Sequence, residues 1–153
     1  MGRRLYTGDG EFVYKYVFGM QPSELCKLAG EDDIGTYDRD KDDDYTDEET
    51  GELVEGSETC SAVIDRKDMV DFKDLIDLQE PMLTFFEKKI QEIVDNNNND
   101  PGMWNEVTYE EIKKLTQSNE YWYWKMCLAI YNKCKQIFSR EPEQDCVEII
   151  DEF

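Results

Sequence analysis

Tyr121-Trp-Tyr-Trp-Lys-Met-Cys-Leu-Ala-Ile-Tyr-Asn-Lys-Cys-Lys-Gln-Ile-Phe138 is the stretch on which the fold turns. Placed on a helix, its apolar residues cover most of the circumference and leave Lys125, Asn132 and Gln136 on the remaining stripe. A helix of that kind is buried on several sides, which predicts that it forms the centre of the core. Consecutive helical residues point in different directions, so the aromatics Tyr121 to Trp124 read as core packing before they read as a stacking platform for bases or sugars. Cys127 and Cys134, seven residues apart on the same helix, likewise read as core thiols rather than as a metal pair.

Working outward from that helix, signals of both periods appear. Thr108-Tyr-Glu-Glu111 has the form of a capping box and predicts a helix starting at Tyr109, with a break or kink over Thr116–Glu120. Asn96-Asn-Asn-Asn-Asp-Pro-Gly102 is a low-complexity surface connector. Pro81 suits the first turn of a helix over Glu80–Val94. A shorter helix precedes it, capped by Asp65 or Asp68, with Met69, Phe72, Leu75 and Ile76 toward the core. Strand signals stand at Phe12–Phe18, which follows the Gly8-Asp9-Gly10 turn, at Thr59–Ile64 and at Cys146–Ile150. Gln21-Pro22-Ser23 opens a short helix through Ala29 that Gly30 stops. The expected fold class is α+β: a small antiparallel sheet of three or four strands packed against three or four helices. With 153 residues the chain can bury one core and is too short for two ordinary domains, so residues 1–153 are expected to form one unit.

Charge is the unusual property. Thirty-seven Asp and Glu against seventeen Lys and Arg leave a net charge of -20, with a pI near 4.2. Such a field repels DNA, RNA and anionic membranes, and attracts basic proteins over long range. It also works against the compact state, so solubility alone hardly accounts for it. The surplus is concentrated: residues 31–58 hold fourteen acids and two bases, more than half the net charge in under a fifth of the chain. That segment is expected to be a solvated acidic loop or insertion, with room for a hairpin around Thr50-Gly51.

Several chemistries fall away. There is no histidine, which removes Ser-His-Asp and Cys-His dyads, His-Glu-x-x-His proteases and His-ligated zinc. The nine glycines form no phosphate-cradling loop. The five cysteines, Cys26, Cys60, Cys127, Cys134 and Cys146, include no Cys-x-x-Cys and read as reduced thiols. Met1-Gly-Arg-Arg runs into no apolar leader, and no stretch reaches the roughly eighteen apolar residues of a membrane span. A cytoplasmic location is therefore expected, without membrane contact.

Carboxylate chemistry remains. Asp38, Asp40, Asp42, Asp44 and Glu49 fall on positions 1, 3, 5, 7 and 12 of a calcium loop, but Asp43 stands where that loop needs glycine. Asp65-Arg66-Lys67 closes a strand in the manner of a metal-dependent nuclease, yet Asp/Glu-x-Lys recurs at Asp71, Glu87 and Glu111, as this composition yields by chance. Neither pattern is specific, so no metal, no cofactor and no enzymatic activity are expected. A third pattern is geometric. Asp65, Asp68, Asp71, Asp74 and Asp77 recur at every third residue, and on a helix Asp71, Asp74 and Asp77 form a slanting row opposite Phe72 and Ile76. Neighbours in such a row lie about 5–6 Å apart, close to the spacing of successive phosphates.

The expected function is that of an acidic protein-binding inhibitor, a nucleic-acid mimic that occupies the basic nucleic-acid-binding site of a partner. Its candidate contact residues are Asp38, Asp40, Asp42, Asp43, Asp44, Asp47, Glu48 and Glu49 in the acidic segment, with Asp71, Asp74 and Asp77 on the helix. By analogy, small acidic proteins of this kind serve phages and mobile elements against host restriction or CRISPR systems. The alternatives are an immunity protein that neutralises a basic toxin, and a carboxylate-metal hydrolase or calcium-binding protein. A toxin partner, or metal-dependent turnover, separates these from the first reading.

Overall fold

The computed structural model describes residues 4–15, 23–41, 43–54, 58–97, 104–117 and 120–152. Among them the order is β1 (Arg4–Thr7), β2 (Phe12–Lys15), α1 (Ser23–Gly30), β3 (Thr36–Lys41), β4 (Tyr45–Thr46), β5 (Leu53–Val54), β6 (Glu58–Asp65), α2 (Met69–Asn96), α3 (Glu106–Thr116), α4 (Tyr121–Arg140) and β7 (Cys146–Glu152). Five strands form one antiparallel sheet in the order β2-β1-β7-β6-β3, and β4 pairs with β5 in a separate hairpin. The fold is α+β, as the sequence predicts, with a wider sheet than expected.

Strand alternation sets which face of the sheet is buried. Cys60, Ala62 and Ile64 of β6 and Val147 and Ile149 of β7 are buried, while Ser61, Val63 and Ile150 between them are half-buried and Glu148 is exposed. Helices α1 and α4 pack on this sheet, and α2 packs in turn on α4, with α3 beside α2. Helix α4 is thus enclosed between the sheet and α2, which is why its apolar residues run around its circumference. Met126, Cys127, Ile130 and Cys134 are fully buried, and Tyr121, Tyr123 and Trp124 nearly so. Burial pushes the Cys134 thiol up to about 12, as befits a core side chain. Phe72 of α2 meets Tyr131 of α4 edge-on at 5.4 Å between ring centroids.

Two devices fasten α4 at its C-terminal half. The Arg66 guanidinium, in a 3-10 turn after β6, donates to the carbonyls of Phe138 (3.2 Å), Glu141 (2.9 Å) and Gln144 (2.7 Å). It thereby serves carbonyls that the helix end leaves without an intrahelical donor and pins the turn that follows to it. The Glu11 carboxylate accepts from Arg140 (2.9 and 3.2 Å) and Lys133 (3.3 Å), tying the β1–β2 hairpin to the same helix. Those donors, Arg140 first, hold the Glu11 carboxyl down at about 2.

The structure corrects four expectations. First, the acidic segment is not loop throughout: residues 36–41 form β3, paired along its length with β6. Tyr37 packs against the core from this strand, and ladder hydrogen bonds with β6 outweigh the low β-propensity of the Asp residues. Second, the helices expected before and after Pro81 are one helix of 28 residues. Asp77 and Pro81 both lie on the solvent face, where water can serve the carbonyl that proline leaves without its donor. Third, α3 begins at Glu106, not Tyr109; Asn105 caps it by accepting from the Thr108 N–H at 2.9 Å, and Thr108 is buried. Fourth, the connector begins later than Asn96, the last residue of α2. Residues 16–18 of the expected N-terminal strand lie outside the described residues. The hairpin around Thr50-Gly51 is present, with Tyr45 opposite Val54 and Thr46 opposite Leu53.

Candidate functional site

The acidic residues of α2 lie where helical geometry puts them. Asp71, Asp74 and Asp77 are exposed, while Phe72 and Ile76 are buried against α4. The row is not uniform. Asp77 accepts from Lys73 at 2.9 Å, a surface pair that also raises the Lys73 ammonium above its ordinary range. Asp71 and Asp74 instead line an open groove together with Asp32, Asp33, Ile34, Leu75 and Leu78. The N-terminal end of the acidic segment therefore meets the helix row across an apolar floor.

The turn that carries Asp32 and Asp33 is built rather than loose. The N–H groups of Glu31 and Asp32 donate to the Lys27 carbonyl, and that of Ile34 to the Leu28 carbonyl, closing the end of α1. Ile34 is buried and anchors the turn in the core. Asp33 adopts φ +56° and Gly35 φ +75°. A Cβ on Gly35 would stand 2.3 Å from the Val63 carbonyl oxygen, so only glycine lets the chain enter β3 this close to β6. From the core side, the Tyr123 hydroxyl donates to the Asp32 carboxylate at 2.5 Å. Burial, with help from Asp32 itself, pushes the Tyr123 phenol well above its ordinary range, so it remains a donor. The central helix thus orients a surface carboxylate.

The candidate residues of the acidic segment are dispersed by comparison. Asp38 is exposed on β3, and Asp40 follows two residues later in the same strand. Asp43 and Asp44 are exposed before β4, and Glu48 and Glu49 are exposed at the hairpin turn. Asp42 lies outside the described residues. Asp47 shapes the hairpin: its carboxylate accepts from the N–H groups of Glu49 (2.8 Å) and Thr50 (3.3 Å), forming the turn. Asp38 and Asp40, the first positions of the calcium-loop register, run along an extended strand paired with β6, whereas a calcium loop is tight. No group of three or more metal-ligating side chains converges among the described residues.

Asp65-Arg66-Lys67 does end a strand, but Arg66 is committed to the carbonyls of Phe138 in α4 and of Glu141 and Gln144 just after it, and stacks over Phe138 at 4.6 Å. Asp65 and Lys67 share an open pocket with Arg66 and Asp145.

Asp32, Asp33, Ile34 and Leu78 are the members of the groove that sequence motifs do not single out, and Leu75, expected on the core face, is half-buried at its edge. A signal for them is present: Ile34 is a lone apolar residue in an acidic run, followed at once by Gly35. That pattern marks an anchored turn rather than free loop. Comparison with known proteins gives no family model, no curated protein and no solved structure that matches this chain. No helix among the described residues is long and apolar enough to cross a membrane.

Proposed function

We propose that this chain is an acidic protein-binding inhibitor that occupies the basic, nucleic-acid-binding site of a partner protein. The observation that carries the reading is the groove between α2 and the turn after α1, where Asp32 and Asp33 stand with Asp71 and Asp74. Carboxylates gathered on a folded frame, rather than on a mobile tail, present a fixed cluster of negative charge that a basic partner can pair. The surrounding field points the same way, with a net charge of -20 to draw a cationic surface in. A cytoplasmic enzyme or effector complex of a defence system, opposed by a phage or mobile element, is the partner class this chemistry fits.

The experiment is association kinetics against salt, with a partner captured on the immobilised chain and then purified. The on-rate should fall steeply from about 50 to 500 mM salt, as the Debye length shortens from roughly 14 to 4 Å. Nucleic acid should compete for the partner and should not bind the chain itself. A partner with a neutral or acidic contact surface, or kinetics indifferent to salt, overturns the reading. A secreted basic toxin as the purified partner would turn it into an immunity function.

A further inference from the structure

Helix α2 carries more than charge on its outer side. Val70, Leu78 and Phe85 are 70%, 72% and 55% exposed. At 100° per residue they fall, with Asp71, Asp74 and Asp77, inside an arc of about 120°, over a length of roughly 22 Å. Single exposed apolar residues are ordinary on a protein surface, but three on one stripe form a face that no other element covers among the described residues, with Phe85 meeting Phe86 and the Lys89 ammonium of its own helix. A row that only imitated phosphates would gain nothing from leucine and phenylalanine between its charges. We infer that this face of α2 docks a basic amphipathic helix of the partner, an inference that rests on the reading of the chain as an acidic inhibitor.

Charge and shape select that occupant. A second copy of the chain also carries -20 and meets long-range repulsion, whereas a basic helix is drawn to the face. Four turns of α2 separate Val70 from Phe85, the length over which two helices pack side by side with apolar residues at every third or fourth position. Lysine and arginine suit the groove beside this stripe. Their stems can lie over Leu75 and Leu78 while their heads reach Asp71 and Asp74 on one wall and Asp32 and Asp33 on the other. A basic helix of this kind is one of the elements with which proteins grip nucleic acid, so covering it would block that grip directly.

The test uses the full chain and two fluorescent peptides of one composition, about twenty residues of leucine and lysine. One has its leucines at helical spacing on a single face, and the other is scrambled. At 500 mM salt the ordered peptide should bind at least tenfold more tightly than the scrambled one. Leu78→Ser with Phe85→Ser should erase that advantage, since both side chains are solvent-facing and the fold can be checked by circular dichroism. Asp71→Asn, Asp74→Asn and Asp77→Asn together should weaken both peptides. Equal binding of the two peptides, or an advantage that survives the Leu78 and Phe85 changes, overturns the docking inference. The acidic-inhibitor reading still stands in that case if the Asp changes weaken both. Sedimentation of the chain alone is the remaining arm: a dimer dissolved by the Leu78 and Phe85 changes would give the face to a second copy and also overturn the inference.

Discussion

Neutralising Asp71, Asp74 and Asp77 to asparagine changes the net charge by three units on a face the core does not use. The effect on stability should be small and of favourable sign. Two carboxylates about 6 Å apart in water repel by roughly 0.7 kcal/mol before screening, so relieving Asp71 and Asp74 of each other and of Asp32 and Asp33 offsets the lost Lys73–Asp77 pair. The thermal midpoint should be unchanged or higher. The effect on binding is separable into two rates. Three contacts at about 0.2–1 kcal/mol each, if they stay at an exposed rim, sum to roughly 0.6–3 kcal/mol, or about 3- to 150-fold in dissociation rate. The proper control removes the same charge elsewhere: Glu110→Gln, Glu111→Gln and Glu143→Gln, all exposed and outside the groove. Charges near the contact steer association most strongly at these salt concentrations, so the α2 variant should lose more on-rate than the control, and only the α2 variant should lose hold once bound. Surface kinetics against the purified partner, at 150 and 500 mM salt, reads both rates. Equal dissociation rates in the two variants would refute a contact role for the row and leave its charge acting only at a distance.

Three further outcomes follow from the fold. Gly35→Ala forces a side chain onto a left-handed backbone and against the Val63 carbonyl. It should cost about 2–4 kcal/mol, or roughly 6–12 °C in thermal midpoint, and weaken partner binding through displacement of Asp32 and Asp33. Replacing Tyr45–Val54 by a short Gly/Ser linker should leave the midpoint nearly unchanged, because that hairpin is a separate two-stranded sheet, whereas replacing Asp38–Lys41 should lower it by removing the edge strand paired with β6. Glu11 has a folded value of about 2 against an ordinary 4.5, so its tie to Arg140 and Lys133 contributes stability above about pH 4.5 and loses it as pH falls toward 2. Glu11→Gln should therefore lower the thermal midpoint at pH 6 and make no difference near pH 2; a gap that persists in acid would mean the tie is not ionic.

The central helix is legible in the sequence because its residues admit one environment: no exposed face is wide enough on Tyr121–Phe138, so the rest of the chain has to surround it. The exposed row on α2 is legible for the complementary reason, since Phe72 and Ile76 fix which side faces inward and leave Asp71, Asp74 and Asp77 no other place. What composition hides is pairing. Thr36–Lys41 has the residues of a solvated loop, and nothing local reveals that residues 58–63 supply its hydrogen-bond partners. Dense charge argues locally against structure, yet alternate residues on an edge strand can face water at little cost, and charged side chains there protect the edge from other strands. Pro81 is misleading in the same way, because a proline on a solvent face costs a long helix one hydrogen bond that water can replace. In both places a local preference gives way to tertiary contacts able to override it. The groove lies at the junction of these cases. One wall, Asp71 and Asp74, follows from helical period, and the other, Asp32 and Asp33, follows from a turn that needs Gly35, Ile34 and the Val63 carbonyl in place together. A site assembled from one local and one non-local wall is visible by halves in a sequence, and the missing half is the one that long-range contacts hold.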